Sequence, residues 1–289
     1  MTDTDDKRLT RRRFYKAEQE AGFAETHFTA TPQTQSPSYK LAFTDNDFLL
    51  REELRPVRFQ LELLKTEMLM EEAGIGSMLV CYGSARIPSP EQAAEMVANA
   101  PEVRKAVAES LAAKSKYYDV ARNLARIASE AAIVEKGMRQ FVVCSGGGPS
   151  IMEAANRGAS EAGSETIGLN IVLPHEQAPN LYVTPRLAFQ FHYFALRKMH
   201  FLLRAKAIAV FPGGYGTFDE FFELLCLIQT GKMKPIPILL YGKEFWSKVV
   251  NFQALAEEGV INAEDLKLIS WVETAEEGWD VIRDFYDLG

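Results

Sequence analysis

Residues 207–217 read AIAVFPGGYGT, a short apolar run followed at once by a turn with three glycines. An unbroken apolar run of this length predicts a strand that is buried on both faces, as in a parallel sheet. Pro212 and Gly213 end the strand, and the segment after the turn predicts a helix to about Thr230. A strand, a glycine turn and a helix in this order are typical of an α/β protein that binds its ligand beyond the strand end.

The same alternation continues on both sides of this stretch. Further strands are expected at 77–82, 141–144, 166–172, 188–192, 236–241 and 268–271. Helices are expected at 150–162, 195–204, 245–257 and from Ala275, and two more over 90–137, with the second ending at Gly137. The pattern predicts an α/β fold with a Rossmann-like, doubly wound parallel sheet and helices on both of its faces.

The region before this sheet has a different composition. Residues 1–45 are polar and charged, which predicts a mobile arm. Residues 46–76 form a second segment, in which apolar residues recur at helical spacing between Phe48 and Ala73. This segment is expected to pack as a helix on the body or on a second subunit, and residues 77–289 to form the Rossmann-like domain.

The chain has 289 residues, 47% of them hydrophobic, which suits one sizeable globular core. Its formal net charge of −7 argues against a broad nucleic-acid or anionic-membrane surface. Cys81, Cys144 and Cys226 are an odd, scattered set with neither a disulfide nor a zinc pattern. We expect all three to be small core residues in a reducing compartment.

The N-terminus resembles an export signal at one point. Residues 10–16 read TRRRFYK, as in a twin-arginine signal, but the polar residues 17–22 follow where an apolar stretch would be needed. No apolar run has membrane-spanning length. We therefore expect a cytoplasmic protein with no membrane partner, whose basic N-terminal residues form a solvated tail and bind no nucleic acid.

Three glycine-containing turns follow three predicted strands: CYGSA at 81–85, CSGGGPS at 144–150 and FPGGYGTFDE at 211–220. In a doubly wound sheet, ligands lie beyond the carboxyl ends of the strands. Helix N-termini there offer unpaired N–H groups to an anion, and glycine lets the backbone approach it closely. The candidate phosphate-binding residues are Gly83, Ser84, Gly146, Gly147, Gly148, Gly213, Gly214, Tyr215, Gly216 and Thr217.

Neither common nucleotide-binding motif fits these turns. No turn supplies the lysine of a P-loop, and Gly214-Tyr215-Gly216 lacks the third glycine of a dinucleotide fingerprint. Asp219 and Glu220 are expected in the first turn of the helix that follows. Stabilisation of the helix dipole is the expected role of Asp219.

Residues 212–220, PGGYGTFDE, match PGGxGTxxE and so resemble the signature of the Lonely Guy (LOG) family. Its second signature, RKxxM, is similar to Arg197-Lys198-Met199-His200-Phe201, with Phe in place of Met. The turns after the first two strands also resemble those of the family, over roughly residues 77–245. Members are cytokinin-activating phosphoribohydrolases that have long been labelled lysine decarboxylases.

The resemblance implies a role for particular residues. Arg197 and Glu220 correspond to the catalytic pair, Lys198 to a neighbouring substrate contact and Glu176 to an acidic substrate ligand. The implied reaction is hydrolysis of the N-glycosidic bond of a nucleoside 5′-monophosphate, AMP or an N6-modified AMP, to free base and ribose 5-phosphate. A carboxylate suits this chemistry because it can stabilise an oxocarbenium-like state and activate water.

The resemblance also sets expectations for partners and alternatives. No metal and no cofactor is expected, and the chain should form a homodimer or a higher homo-oligomer. The alternative is a carrier of the same fold that holds a nucleotide or a molybdenum cofactor without chemistry. A pyridoxal-phosphate decarboxylase fits poorly, because no lysine stands in a recognisable Schiff-base setting. Packing is the expected role of His192 and His200. For the aromatic cluster Phe189, Phe191, Tyr193 and Phe194, core filling is favoured over stacking on a base, which is the alternative.

Overall fold

The structure is a computed structural model that describes residues 14–174 and 178–288. The chain forms two compact units that divide between Leu61 and Glu62. In the first unit, helix α1 (Ala17–Thr26) lies within the segment expected to be an arm and buries none of its residues. The same unit contains a four-residue helix, α2 (Asn46–Leu49), and the single turns Pro37–Tyr39 and Glu52–Leu54.

The predicted helix before the sheet is present as α3, which starts in the first unit and continues into the second. Its bounds are Arg55–Glu72, so it begins seven residues later than the apolar periodicity that starts at Phe48. The short elements Asn46–Leu49 and Glu52–Leu54 take the place of its first turns.

The second unit is built on a seven-stranded sheet with a separate two-stranded hairpin. The strands are β1 (Met78–Tyr82), β2 (Val134–Glu135), β3 (Met138–Arg139), β4 (Val142–Ser145), β5 (Ile167–Ile171), β6 (Ala188–Phe191), β7 (Ala205–Val210), β8 (Ile238–Tyr241) and β9 (Ser270–Val272). The large sheet has the order β6-β5-β4-β1-β7-β8-β9, and each neighbouring pair is parallel. Every residue of β1, β4, β5 and β8 is buried, as expected where helices cover both faces of a parallel sheet.

Helices connect these strands. They are α4 (Pro90–Ala98), α5 (Lys105–Ala112), α6 (Lys116–Glu130), α7 (Ile151–Glu161), α8 (Phe194–Leu203), α9 (Tyr215–Gln229), α10 (Lys243–Val249), α11 (Phe252–Glu257) and α12 (Ala275–Tyr286). The main core forms where α6, α7 and α12 cover the sheet, with Leu124, Ala155 and Ile282 fully buried against Val143 and Leu239. The fold class expected from the sequence, a Rossmann-like α/β protein with a doubly wound parallel sheet, is confirmed.

Strand order determines where a ligand site can form. The chain winds outward from β1 through β4 and β5 to β6, returns to the other side of β1 as β7, and continues to β9. The order therefore reverses at β1, and in such sheets the crevice lies at that reversal. The turns are joined there: Ser84 N–H donates to the carbonyl of Pro212 at 3.0 Å, and Ile151 N–H to that of Ser84 at 3.4 Å.

Three local predictions are wrong. Residues 90–137 contain three helices, strand β2 and the turn of the β2–β3 hairpin, so Gly137 does not end a helix. Lys136 and Gly137 both have positive φ, 51° and 79°, as a two-residue hairpin turn requires. The helix predicted at 245–257 is two helices, because the Asn251 side chain accepts from Ala254 N–H at 3.0 Å and starts α11.

The cysteine prediction holds for two of the three residues. Cys81 and Cys144 are buried, and burial raises the pKa of the Cys81 thiol to about 12. Cys226 is exposed, and its placement in the core was wrong. The reason is its position on α9, whose inward face is taken by Phe221, Leu224 and Ile228.

Over residues 14–174 and 178–288, no helix combines the length and the apolar character needed to cross a membrane.

Candidate active site

A cavity of about 600 Å³ lies at the carboxyl ends of β1, β4 and β7. It brings together residues from all three turns and from helix α8, which precedes β7. Its walls include Tyr82, Gly83, Ser84, Ala85, Arg86, Gly146, Met152, Phe194, Arg197, Phe201 and residues 214–220. Nine of the predicted site residues thus share one cavity: Gly83, Ser84, Gly146, Arg197, Gly214, Tyr215, Gly216, Thr217 and Glu220.

The turn after β7 leaves the start of helix α9 open towards this cavity. Helix α9 begins at Tyr215, and its N-cap Gly214 has no side chain to accept the free N–H groups of the first turn. Gly213 lies behind the wall, where a Cβ would come within 2.1 Å of Thr217 Oγ1. A side chain at Gly213 would therefore push Thr217 out of place. At Gly216 a Cβ would meet no atom within 4 Å.

Glu220 is a buried carboxyl group in the cavity wall, with 7% of its surface exposed. Among the described residues, Oε2 has no hydrogen-bond partner. Burial raises the pKa of Glu220 to about 7, although the charges of Arg197 and Lys198 oppose that rise. The carboxyl group therefore changes its charge near neutral pH, which is the range in which a general base works best.

The Arg197 guanidinium group is held by three neighbours. Its Nε donates to the carbonyl of Leu169, on β5, at 2.6 Å. Its Cζ lies 5.2 Å from the centre of the Phe201 ring. A Cβ on Gly146 would lie 2.7 Å from Nη2, so only glycine leaves room for the guanidinium group there. Glycine in the second turn thus makes space for a side chain of α8.

Lys198 points to the acidic residues of α9. Its Nζ lies 2.8 Å from Asp219 Oδ1 and 3.0 Å from Glu223 Oε2. Burial lowers the pKa of Lys198, but these two hydrogen bonds outweigh it and the pKa is raised. Lys198 does not contribute to the cavity wall described above. Its positive charge nevertheless lowers the pKa of Glu220.

The position of Asp219 and Glu220 on α9 differs from the prediction. Because α9 begins at Tyr215, both lie in its second turn, and no acidic residue occupies the first. Asp219 pairs with Lys198, so its main contact is this ion pair and the expected role at the helix dipole was wrong.

The second glycine turn is hydrogen-bonded to neighbouring residues of the protein. Gly147 N–H donates to Ser145 Oγ at 3.0 Å, and its carbonyl accepts from Asn180 N–H at 2.8 Å. Asn180 Nδ2 also donates to the carbonyl of Gly148 at 3.0 Å. Gly147 and Gly148 do not form part of the cavity wall. Of this turn only Gly146 reaches the cavity.

Several wall residues were not predicted as site residues, among them Arg86, Tyr82 and Phe194. Arg86 is exposed, and its N–H donates to Ser84 Oγ at 3.0 Å. Tyr82 is buried, its Oη has no hydrogen-bond partner among the described residues, and burial raises its pKa well above the usual value. Phe194, expected to fill the core, is 51% exposed and lines the cavity. An arginine two residues beyond the first turn was the available signal for Arg86.

The remaining predicted residues are placed as follows. Glu176 lies outside the described residues. His200 is buried and packs on Phe191, with ring centres 5.2 Å apart, while its Nδ1–H donates to the carbonyl of Leu196 at 2.7 Å. Packing is thus its observed role. His192 is exposed.

The fold and the cavity define a class: doubly wound α/β proteins with a pocket at the reversal of strand order. Residues 152–282 match a family model described as "Possible lysine decarboxylase". A probable cytokinin riboside 5′-monophosphate phosphoribohydrolase of Oryza sativa subsp. japonica is 24% identical over 180 residues, which cover 60% of this chain and 78% of that protein. A cytokinin riboside 5′-monophosphate phosphoribohydrolase of Arabidopsis thaliana is 26% identical over 168 residues, 57% of this chain and 73% of that one.

These matches support the resemblance to the LOG family that its two signatures indicated. Two solved structures resemble it more distantly. The molybdenum cofactor binding protein of Rippkaea orientalis has a TM-score of 0.43 and 16% identity, over 72% of this chain and 94% of that one. The molybdenum cofactor carrier protein of Chlamydomonas reinhardtii has a TM-score of 0.44 and 16% identity, over 74% and 99%.

Proposed function

We propose that this protein hydrolyses the N-glycosidic bond of a nucleoside 5′-monophosphate, AMP or an N6-modified AMP, to free base and ribose 5-phosphate. The observation that carries the proposal is the buried carboxyl group of Glu220, in a cavity wall that it shares with Arg197 and the open N-terminus of α9. The relatives named as phosphoribohydrolases support the same reaction class.

The reaction needs an acceptor for a proton and a group that stabilises positive charge. The C1′–N bond breaks, and the oxygen of water forms a new bond to C1′. Glu220, as a carboxylate, stabilises the oxocarbenium-like state and takes the proton from water. The departing nitrogen of the base gains one proton in exchange, and loss of the proton from Glu220 regenerates the carboxylate, so that the reaction balances. A base that is ionised above about pH 7 suits this role.

The substrate's phosphate needs donors, and two kinds are present at the cavity. The first-turn N–H groups of α9 and the hydroxyl of Thr217 lie on one side. Arg86 is exposed and lines the cavity, and it forms no ion pair with any of the described residues. We assign the 5′-phosphate to this end of the cavity and the ribose and base to the end with Arg197 and Phe194.

The test is a panel of nucleoside monophosphates, with the released base identified by chromatography and adenosine as the matched control. We expect AMP to be cleaved and kcat/KM for adenosine to be lower by ~10³-fold or more, because several charge-assisted hydrogen bonds of ~1.5 kcal/mol or more each are lost. Equal kcat/KM for AMP and adenosine would contradict the phosphate assignment. Tight AMP binding without any released base would favour the carrier alternative.

A second copy of the chain is the other partner that we propose. Two apolar helix faces are candidates for this contact, one on α3 and one on α9. The α9 face is covered within the chain, where Phe221 and Phe222 contact Phe252 at ring-centre distances of 6.1 and 6.2 Å. Leu64 and Met68 on α3 remain 54% and 57% exposed. Light scattering at micromolar concentration should give at least a dimer, and a monomeric mass would refute the proposal.

A further inference from the structure

Helix α3 contacts both ends of α8, the helix that carries Arg197. At the start of α8, the carboxylate of Glu62 accepts the N–H of His192 at 2.7 Å and that of Tyr193 at 3.3 Å. At its end, Arg204 Nη2 lies 3.1 Å from Glu67 Oε2 and 3.4 Å from Glu71 Oε2. Carboxylates of α3 thus contact both ends of α8: Glu62 at its start, and Glu67 and Glu71 at its end.

The contact at Glu62 fixes the entry of the chain into α8. The N-cap of α8 is Tyr193, whose side chain makes no capping hydrogen bond. Glu62 accepts the backbone N–H of this N-cap residue and that of His192 before it, so it holds the two residues that lead into the first turn. Its negative charge also suits the positive end of the helix dipole.

The first turn of α8 belongs to the cavity wall. Phe194 is its first residue, and Arg197 N–H donates to the carbonyl of Tyr193 at 3.1 Å. The Arg197 side chain is tied separately to Leu169 on β5. A shift in the first turn would therefore move the Arg197 backbone relative to the point that anchors its guanidinium group. Small displacements of a substrate-contacting group lower turnover strongly.

We propose that Glu62 is a positioning residue: it fixes the first turn of α8 and through it the place of Arg197 and Phe194 in the cavity. Glu62 precedes residues 152–282, which match the family model. The long helix before the sheet therefore contributes to the site without touching substrate. The inference rests on the proposed function for its kinetic consequence, but its structural consequence is independent of it.

The kinetic test is Glu62→Gln, with Glu72→Gln as the matched control on an exposed position of the same helix. We expect kcat/KM for AMP to fall by ~10-fold or more in Glu62→Gln, and not in Glu72→Gln, because an amide carries no charge for the two N–H groups. Glu62→Asp keeps the charge on a shorter side chain and should lose less. Because the effect passes through Arg197, Glu62→Gln should add little in an Arg197→Ala background.

The structural test is amide hydrogen exchange of the peptide that contains residues 194–203. Exchange should accelerate in Glu62→Gln and stay at the wild-type rate in Glu72→Gln. Unchanged exchange in Glu62→Gln overturns the inference, and so does faster exchange with unchanged kcat/KM. If the wild type releases no base, the proposed function fails instead. AMP affinity by calorimetry then decides the inference: weaker binding to Glu62→Gln, relative to Glu72→Gln, supports it, and equal binding overturns it.

Discussion

The glycine turns after β4 and β7 are alike in sequence and different in use. Gly147 and Gly148 are hydrogen-bonded to Ser145 and Asn180, and neither forms part of the cavity wall. Gly214 and Gly216 line the cavity, beside a helix start with no capping side chain. Glycine content alone therefore does not decide which turn reaches the cavity. What differs is whether the polar backbone groups of the turn already have partners within the protein, as those of Gly147 and Gly148 do.

The largest effect should come from Glu220, on the helix that follows the β7 turn. If its carboxylate activates water, Glu220→Gln should lower kcat for AMP by ~10²–10⁴-fold. AMP affinity, measured by calorimetry, should change little, because in the proposed binding mode the phosphate contacts backbone N–H groups that the substitution leaves in place. Retained turnover would remove the main reason to assign catalysis to this turn.

Glu220→Gln should lower activity but raise stability at alkaline pH, so a loss of activity cannot be explained by unfolding. Burial raises the pKa of Glu220 from 4.5 to about 7, so the folded state binds a proton that the unfolded state has released between these values. The stability associated with Glu220 is therefore complete below about pH 4.5 and is lost as pH rises through about 7. Thermal unfolding of Glu220→Gln should give a Tm above wild type at pH 8 and close to it at pH 4.5.

The turn after β1 should behave like the β7 turn, because Arg86 lines the cavity. Arg86→Ala should raise KM for AMP by ~10-fold or more, the lower end of the range for a charge-assisted hydrogen bond, since the side chain is exposed. Arg104→Ala, at an exposed position outside the cavity wall, is the control. Equal KM values for the two variants would exclude Arg86 from phosphate binding.

Alanine substitutions at Gly147 and Gly216 test the difference between the turns after β4 and β7. Gly147 has φ +74°, and a Cβ there would lie 2.2 Å from Asn170 Oδ1, so Gly147→Ala should destabilise the fold by ~1–2 kcal/mol or more. Gly216 lies in α9 with open space around it, so Gly216→Ala should keep or raise Tm. Its methyl group should instead raise KM for AMP. The reverse pattern of Tm and KM would break the distinction between the turns.

The smallest effect concerns pH. If Glu220 acts as a carboxylate, as proposed, kcat/KM should rise with pH through about 7. The charge of Lys198 lowers the pKa of Glu220, so Lys198→Met should move this rise to higher pH by a fraction of a unit. Lys232→Met, on an exposed loop residue, should leave it in place. A shift to lower pH would show that Lys198 acts on another group.

Strand and helix alternation was predictable because apolar runs and glycine turns are local features. The seven strands of the main sheet were all expected near their observed positions. The β2–β3 hairpin was missed because its strands are two residues long and carry too little periodicity to detect. The start of α11 was missed because an asparagine cap lies inside an otherwise helical pattern. Helix α3 was expected, but its contacts with α8 were not.

The sequence by itself determined the fold class, the family signatures and the pairing of Arg197 with Glu220 as candidates. These depend on residue order and short spacing. Only the tertiary structure decided that Gly147 and Gly148 are hydrogen-bonded to other parts of the chain and that Lys198 pairs with Asp219 and Glu223. It also decided that Arg86 lines the cavity and that Glu62 contacts the start of α8. The physical reason is that a hydrogen-bonding group is available to a ligand only if no distant part of the chain has already taken it, and no local pattern records that.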